Sequence, residues 1–131
     1  MEELFKIGIS ENTLKSMLEI NPNIKEMTST EVKEKIEILK QINCSDTQIL
    51  NIISSNAMYL DRTNKEIIDL IKYLLSVGFN TLNILFDSNP YILNLEIFEI
   101  ENYITERKNK SEILEDIIDD LDSNPYIFTE L

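Results

Sequence analysis

Apolar side chains fall into columns that recur every 33 to 35 residues along the chain. The clearest echo sets Ser88-Asn89-Pro90-Tyr91-Ile92-Leu93 against Ser123-Asn124-Pro125-Tyr126-Ile127-Phe128. Earlier copies read Asn56-Ala57-Met58-Tyr59-Leu60 and Asn21-Pro22-Asn23-Ile24, so the proline slot falls at 22, 57, 90 and 125. Eight residues before each slot stand Leu14, Ile49, Leu82 and Ile117, and four before it Leu18, Ile53, Phe86 and Leu121. A spacing of four places both columns on one helical face. Two residues after the slot come Ile24, Tyr59, Ile92 and Ile127. The Asn-Pro dipeptide is expected to end this first helix, because proline disfavours a helical residue before it.

A second helix follows in each unit, buried through Val32, Ile36, Leu39 and Ile42, then through Ile67, Ile71, Leu74 and Val77. Thr28 to Glu31 and Thr63 to Glu66 read as capping boxes opening these helices, and Ser45 to Gln48 caps the next first helix. Gly8, Asn43 and Gly78 share one slot after the second helices, suited to a left-handed residue that ends a helix. The pattern predicts helices near 11–20, 29–41, 46–55, 64–76, 81–88, 95–107 and 112–122, with a turn after each proline slot. Leu4 and Ile7 match Leu39 and Ile42, as though the chain starts at the end of a second helix. Arg107 and Lys110 stand in apolar slots, so the second helix of the third copy is expected to end early. The fold class is therefore all-α: one domain over residues 1–131, a short solenoid of about three and a half units, each of two helices and a 3₁₀-like turn.

Composition agrees with that reading and narrows the chemistry. Apolar residues make up 43% and charged residues 27%, enough for a packed core, and two glycines suit short connections between helices. No apolar run reaches the roughly 20 residues of a membrane-spanning helix, so no membrane partner is expected. The start Met1-Glu2-Glu3 is acidic, and a lone Cys44 suits a reducing compartment, which makes the cytoplasm the expected location. With no histidine the chain lacks the commonest general base and neutral metal ligand, and neither enzymatic activity nor a cofactor is expected. Cys44 lies in the slot filled by Ile9 and Phe79, which favours a core thiol over a nucleophile. Asp116, Asp119, Asp120 and Asp122, with Glu112 and Glu115, lack the loop spacing of a calcium site and read as the solvated face of a capping helix. Tyr59, Tyr91 and Tyr126, near the proline slots, are expected to pack rather than stack on bases.

The columns, the glycine-like turn, the Leu-rich helix and the stretch Asn89 to Leu93 resemble the repeat of the mitochondrial transcription termination factor (mTERF) family over nearly the whole chain. That resemblance implies units of two helices and a 3₁₀ turn stacked into a curved solenoid. In well-studied members it also implies a basic concave surface that binds nucleic acid in organellar gene expression. This chain is much shorter than those members and carries a net charge of −12, with seven acidic and no basic residues from 111 to 131. Nucleic-acid binding needs Lys and Arg against phosphates. No basic column repeats: Lys72 aligns with Glu2, Glu37 and Thr105, while Lys40 and Lys108 align with Phe5 and Leu75. The leading expectation is a non-catalytic module that binds a protein or itself, through uncovered apolar groups at Leu4, Phe5 and Ile7. The alternative is a nucleic-acid-binding regulator using Arg107, Lys108 and Lys110, disfavoured by the charge; no small-molecule substrate is evident.

Overall fold

The computed structural model describes all 131 residues as eight α-helices and four 3₁₀ turns, with no strand. The first helices of the units are α2 (Glu11–Ile20), α4 (Asp46–Ser55), α6 (Leu82–Ser88) and α8 (Leu114–Ser123). The second helices are α1 (Glu2–Lys6), α3 (Ser29–Gln41), α5 (Asn64–Val77) and α7 (Ile97–Asn109). Between them lie the turns Pro22–Glu26, Ala57–Asp61, Pro90–Asn94 and Pro125–Glu130. Helix α2 packs on α4 and α4 on α6, α1 on α3 and α3 on α5, and each turn on the next. The result is a solenoid with three stacked columns, in which the repeat period of the sequence becomes the period of the stack.

The apolar columns form one continuous core. Leu14, Ile49, Leu82 and Ile117 are buried, as are Ile53, Phe86 and Leu121, while Leu18 is half-buried at the outer unit. Full burial of each such side chain contributes about 1.5–3 kcal/mol. Both capping boxes on Thr28 and Thr63 form with backbone and side-chain bonds in each direction, and Ser45 with Gln48 makes a third. One expectation fails. Helix α7 runs for 13 residues to Asn109, the same length as α3, so Arg107 does not shorten it.

All four second helices end alike. The amides of Ile9, Cys44, Phe79 and Glu112 donate to the carbonyls of Leu4, Leu39, Leu74 and Arg107 five residues earlier, at 3.1 to 3.2 Å. The preceding residues Gly8, Asn43, Gly78 and Ser111 have φ of 105°, 68°, 124° and 68°. This is the Schellman ending, which normally closes on an apolar contact across the turn. Leu4 with Ile9, Leu39 with Cys44 and Leu74 with Phe79 supply buried apolar pairs at these positions. The fourth pair is Arg107 and Glu112, which meet as a bidentate ion pair at 2.5 Å through Nε and Nη2. An ion pair occupies the position of the apolar clasp, which is how a charged residue sits in an apolar column without ending the helix.

The first helices also end alike, and proline is not what ends them. Asn56 precedes Ala57, yet its φ of −131° and ψ of 76° match Asn21 before Pro22, at −132° and 83°. What these positions share is an asparagine side chain that reaches into the next unit. Asn21 Nδ2 donates to the Ala57 carbonyl at 3.0 Å, Asn56 to that of Pro90 at 2.9 Å, and Asn89 to that of Pro125 at 2.9 Å. All three asparagines are buried. Asn56 also exchanges two 3.0 Å bonds with Asn94, four residues past the next slot. In the preceding rung that place holds Asp61, whose carboxylate has no proton to give, and Asn21 Oδ1 is buried without a partner.

Truncating a rung removes a bond and leaves the buried Pro90 carbonyl and the Asn94 amide without their partner. Asn56→Ala is expected to destabilise the fold by about 2–3 kcal/mol in urea denaturation, against less than about 0.5 kcal/mol for a substitution at an exposed surface position such as Glu37→Ala. A loss no larger than the control's would remove the ladder from the account of stability. Ser111 is a non-glycine residue held at positive φ, which costs roughly 1–2 kcal/mol, partly offset by the chain entropy of glycine. Ser111→Gly should therefore raise the thermal midpoint by about 2–5 °C, whereas a fall would show that the serine side chain contributes there.

Candidate interaction surface

The three residues expected to offer an apolar end do not act together. Leu4 has no exposed surface, because α1 packs on α3 and draws it into the core. Only Phe5 stays exposed, with Ile7 half-buried at the edge of a cleft of about 770 Å³ between α1, α3 and α4. That cleft gathers Lys6, Lys33 and Lys40, which no sequence column aligned, and sets Glu3, Glu34, Glu37 and Asp46 among them. Glu3 shows how closely the charges are matched. Burial works against its ionisation, yet the Ser29 hydroxyl at 3.1 Å, with Lys6 and Lys33, holds its pKa below the usual carboxylate range. The cleft is mixed in sign, with no excess of positive charge.

The basic cluster at the end of α7 is also divided. Arg107 folds back onto Glu112, reaches Asp120 through Nη1 at 3.0 Å, and lies 5.4 Å above the ring of Tyr103, whose hydroxyl it also bonds. These partners raise the guanidinium's pKa, Glu112 first, and the same pair lowers that of Glu112. Lys108 and Lys110 remain exposed. The other arginine, Arg62, is equally occupied: Nη1 donates to the carbonyls of Leu93 and Leu95, both at 2.6 Å, and Nη2 approaches Glu96 at 3.5 Å. Lys35 is buried and bonded to Asn64 Oδ1, and burial lowers its pKa despite nearby carboxylates.

Cys44 is 8% exposed, and burial first, then the charge of Asp87, pushes its thiol up to about 11. Tyr59 is fully buried and donates its hydroxyl to the Lys35 carbonyl at 2.7 Å, as expected of a packing residue. The other two tyrosines overturn that expectation. Tyr91 and Tyr126 are 52% and 59% exposed, because they sit one step before the buried column on 3₁₀ turns and so point outward. The aligned position in the preceding turn is Met58, also exposed. This outward row is a feature that the sequence reading missed, although its alignment at one residue past each proline slot was available. The acidic residues of α8 gather into no group of three or more that could hold a metal ion.

A stack of helix pairs, with a clasp at the end of each second helix and an asparagine rung from each of the first three units to the next, defines a helical-repeat scaffold. The chain belongs to the mTERF family, whose model matches residues 1–108. The matched span includes α1 to α6 and nearly all of α7, and it leaves out the acidic α8. No curated protein and no solved structure matched the sequence.

The thiol supplies a direct test of the core. With its pKa near 11, Cys44 is about one part in a thousand thiolate at pH 8, and little of it is accessible. Reaction with a chromogenic disulfide reagent should be slow in buffer and rapid in urea; stoichiometric labelling of the folded protein within seconds would contradict the packing described.

Proposed function

We propose that the protein is a non-catalytic helical-repeat module that binds a protein partner, or another copy of itself, rather than duplex nucleic acid. The observation that carries this reading is the internal use of its strongest phosphate-binding groups. Arg62 and Arg107 are held by backbone carbonyls and carboxylates, and Lys35 is buried. Twelve basic residues face 24 acidic ones, so the long-range field disfavours a polyanion. A single buried Cys44, with no second cysteine to pair with, suits a cytoplasmic setting.

A second reading has specific support: a nucleic-acid-binding regulator. Membership of the mTERF family favours it, and Lys108 and Lys110 remain free at the end of α7 to meet phosphate.

Titration of a labelled DNA duplex of roughly 25 base pairs at about 150 mM salt separates the two, since non-specific binders reach about 10⁻⁴–10⁻⁶ M there and lose affinity steeply with added salt. The expected result is no saturation in that range. Micromolar affinity that falls steeply with salt and weakens in Lys108→Glu/Lys110→Glu would overturn the protein-binding reading in favour of the second.

A further inference from the structure

Met58, Tyr91 and Tyr126 occupy the same place in three successive 3₁₀ turns, one residue past the proline slot, and the turns stack directly on one another. All three side chains are exposed, at 40%, 52% and 59%. They form an apolar and aromatic row along one edge of the solenoid, held in register by the asparagine rungs beneath. The turns that carry the row are predominantly acidic. Over residues 55–63, 87–96 and 122–131 the acids are Asp61, Asp87, Glu96, Asp122 and Glu130, and the only basic residue is Arg62. Its side chain is 9% exposed and bound to Leu93, Leu95 and Glu96. Beside Met58 a cleft of about 410 Å³ opens between Asp61, Glu66 and Glu96.

We propose that this row is the docking stripe for a cationic, amphipathic segment of a partner protein, whose apolar side chains cover Met58, Tyr91 and Tyr126 while its Lys and Arg meet the flanking carboxylates. The inference rests on the protein-binding reading above and names the surface and the chemistry of the partner. Aromatic anchors within a charged rim are the usual energetic centre of such contacts. A cationic segment also gains from the acidic field that repels nucleic acid.

The test pans a phage-displayed library of random peptides, each about 16 residues long, against the full chain and synthesises the most enriched sequence. The expected peptide carries Lys or Arg together with apolar residues. It should lose about tenfold or more in affinity on Tyr91→Ser/Tyr126→Ser, weaken on Asp122→Lys, and bind Leu75→Ser, an exposed apolar position on α5, as it binds the parent. All the substituted side chains are exposed, and circular dichroism checks that each variant folds. Unchanged affinity on the tyrosine variant, enrichment of acidic or uncharged peptides, or no enrichment would overturn the stripe. Tighter binding of an oligothymidylate single strand through the same tyrosines would overturn it too, assigning the row to base stacking. Peptide binding that survives the tyrosine variant sinks the stripe alone, whereas duplex affinity in the preceding titration sinks the reading beneath it.

Discussion

Each of the first three units of the solenoid passes one buried amide hydrogen to the carbonyl at the proline slot of the next, from Asn21 to Ala57, Asn56 to Pro90 and Asn89 to Pro125. A buried amide without a partner costs about 1–3 kcal/mol, so the asparagines after α2, α4 and α6 are held where each meets the following turn, while Asn124 after α8 keeps the same backbone geometry and turns its amide onto Asp120. The bond therefore ties the ends of α2, α4 and α6 to the register of the unit that follows. Proline assists by fixing the backbone after the rung, but Ala57 shows that it is dispensable. The apolar columns supply most of the stabilisation, and the rungs select which stacking of those columns is used.

Periodicity made much of this legible in advance. The helices, the capping boxes on Thr28, Thr63 and Ser45 and the left-handed slots at Gly8, Asn43 and Gly78 depend on residues within one turn of each other, where spacing alone identifies partners. The asparagine ladder did not emerge, although its column at 21, 56, 89 and 124 is plain, because its bonds join residues 34 to 36 apart. Ser111 escaped notice because serine carries no left-handed signal. Arg107 stands in an apolar slot yet does not shorten α7, because Glu112 and Asp120, partners that the column pattern does not reveal, neutralise the guanidinium in place. Tyr91 and Tyr126 lie one residue from a buried column, and on a 3₁₀ turn that single step swings a side chain by about 120°, from the core to the surface.

The same economy shapes the candidate surface. A family fold whose relatives are expected to meet polyanions here keeps both arginines for its own frame. Arg62 ties the second unit to the third through two carbonyls, and Arg107 ties α7 to α8. What remains outside is a mixed-charge cleft at one end and an acidic edge with exposed aromatics along the turns. The architecture is that of the family, and on it the carboxylates outnumber the basic groups by two to one.

The fourth clasp has a consequence for cooperativity. The first three units are joined by apolar pairs that salt leaves intact, while α8 is tied back through Glu112, Arg107 and Asp120, with Asn124 turned onto Asp120 in its own helix at 3.0 and 3.1 Å. Ion pairs of this partly exposed kind are screened at high ionic strength. Phe79 against Phe128, with ring centroids 5.8 Å apart, the Asn89–Pro125 rung and the buried Ile117, Ile118 and Leu121 then hold the final half-unit. In a quasi-one-dimensional array, opening free energy is set unit by unit. Salt thus loosens the end of the array more than its middle, and the amides of α8 are expected to exchange before those of α4.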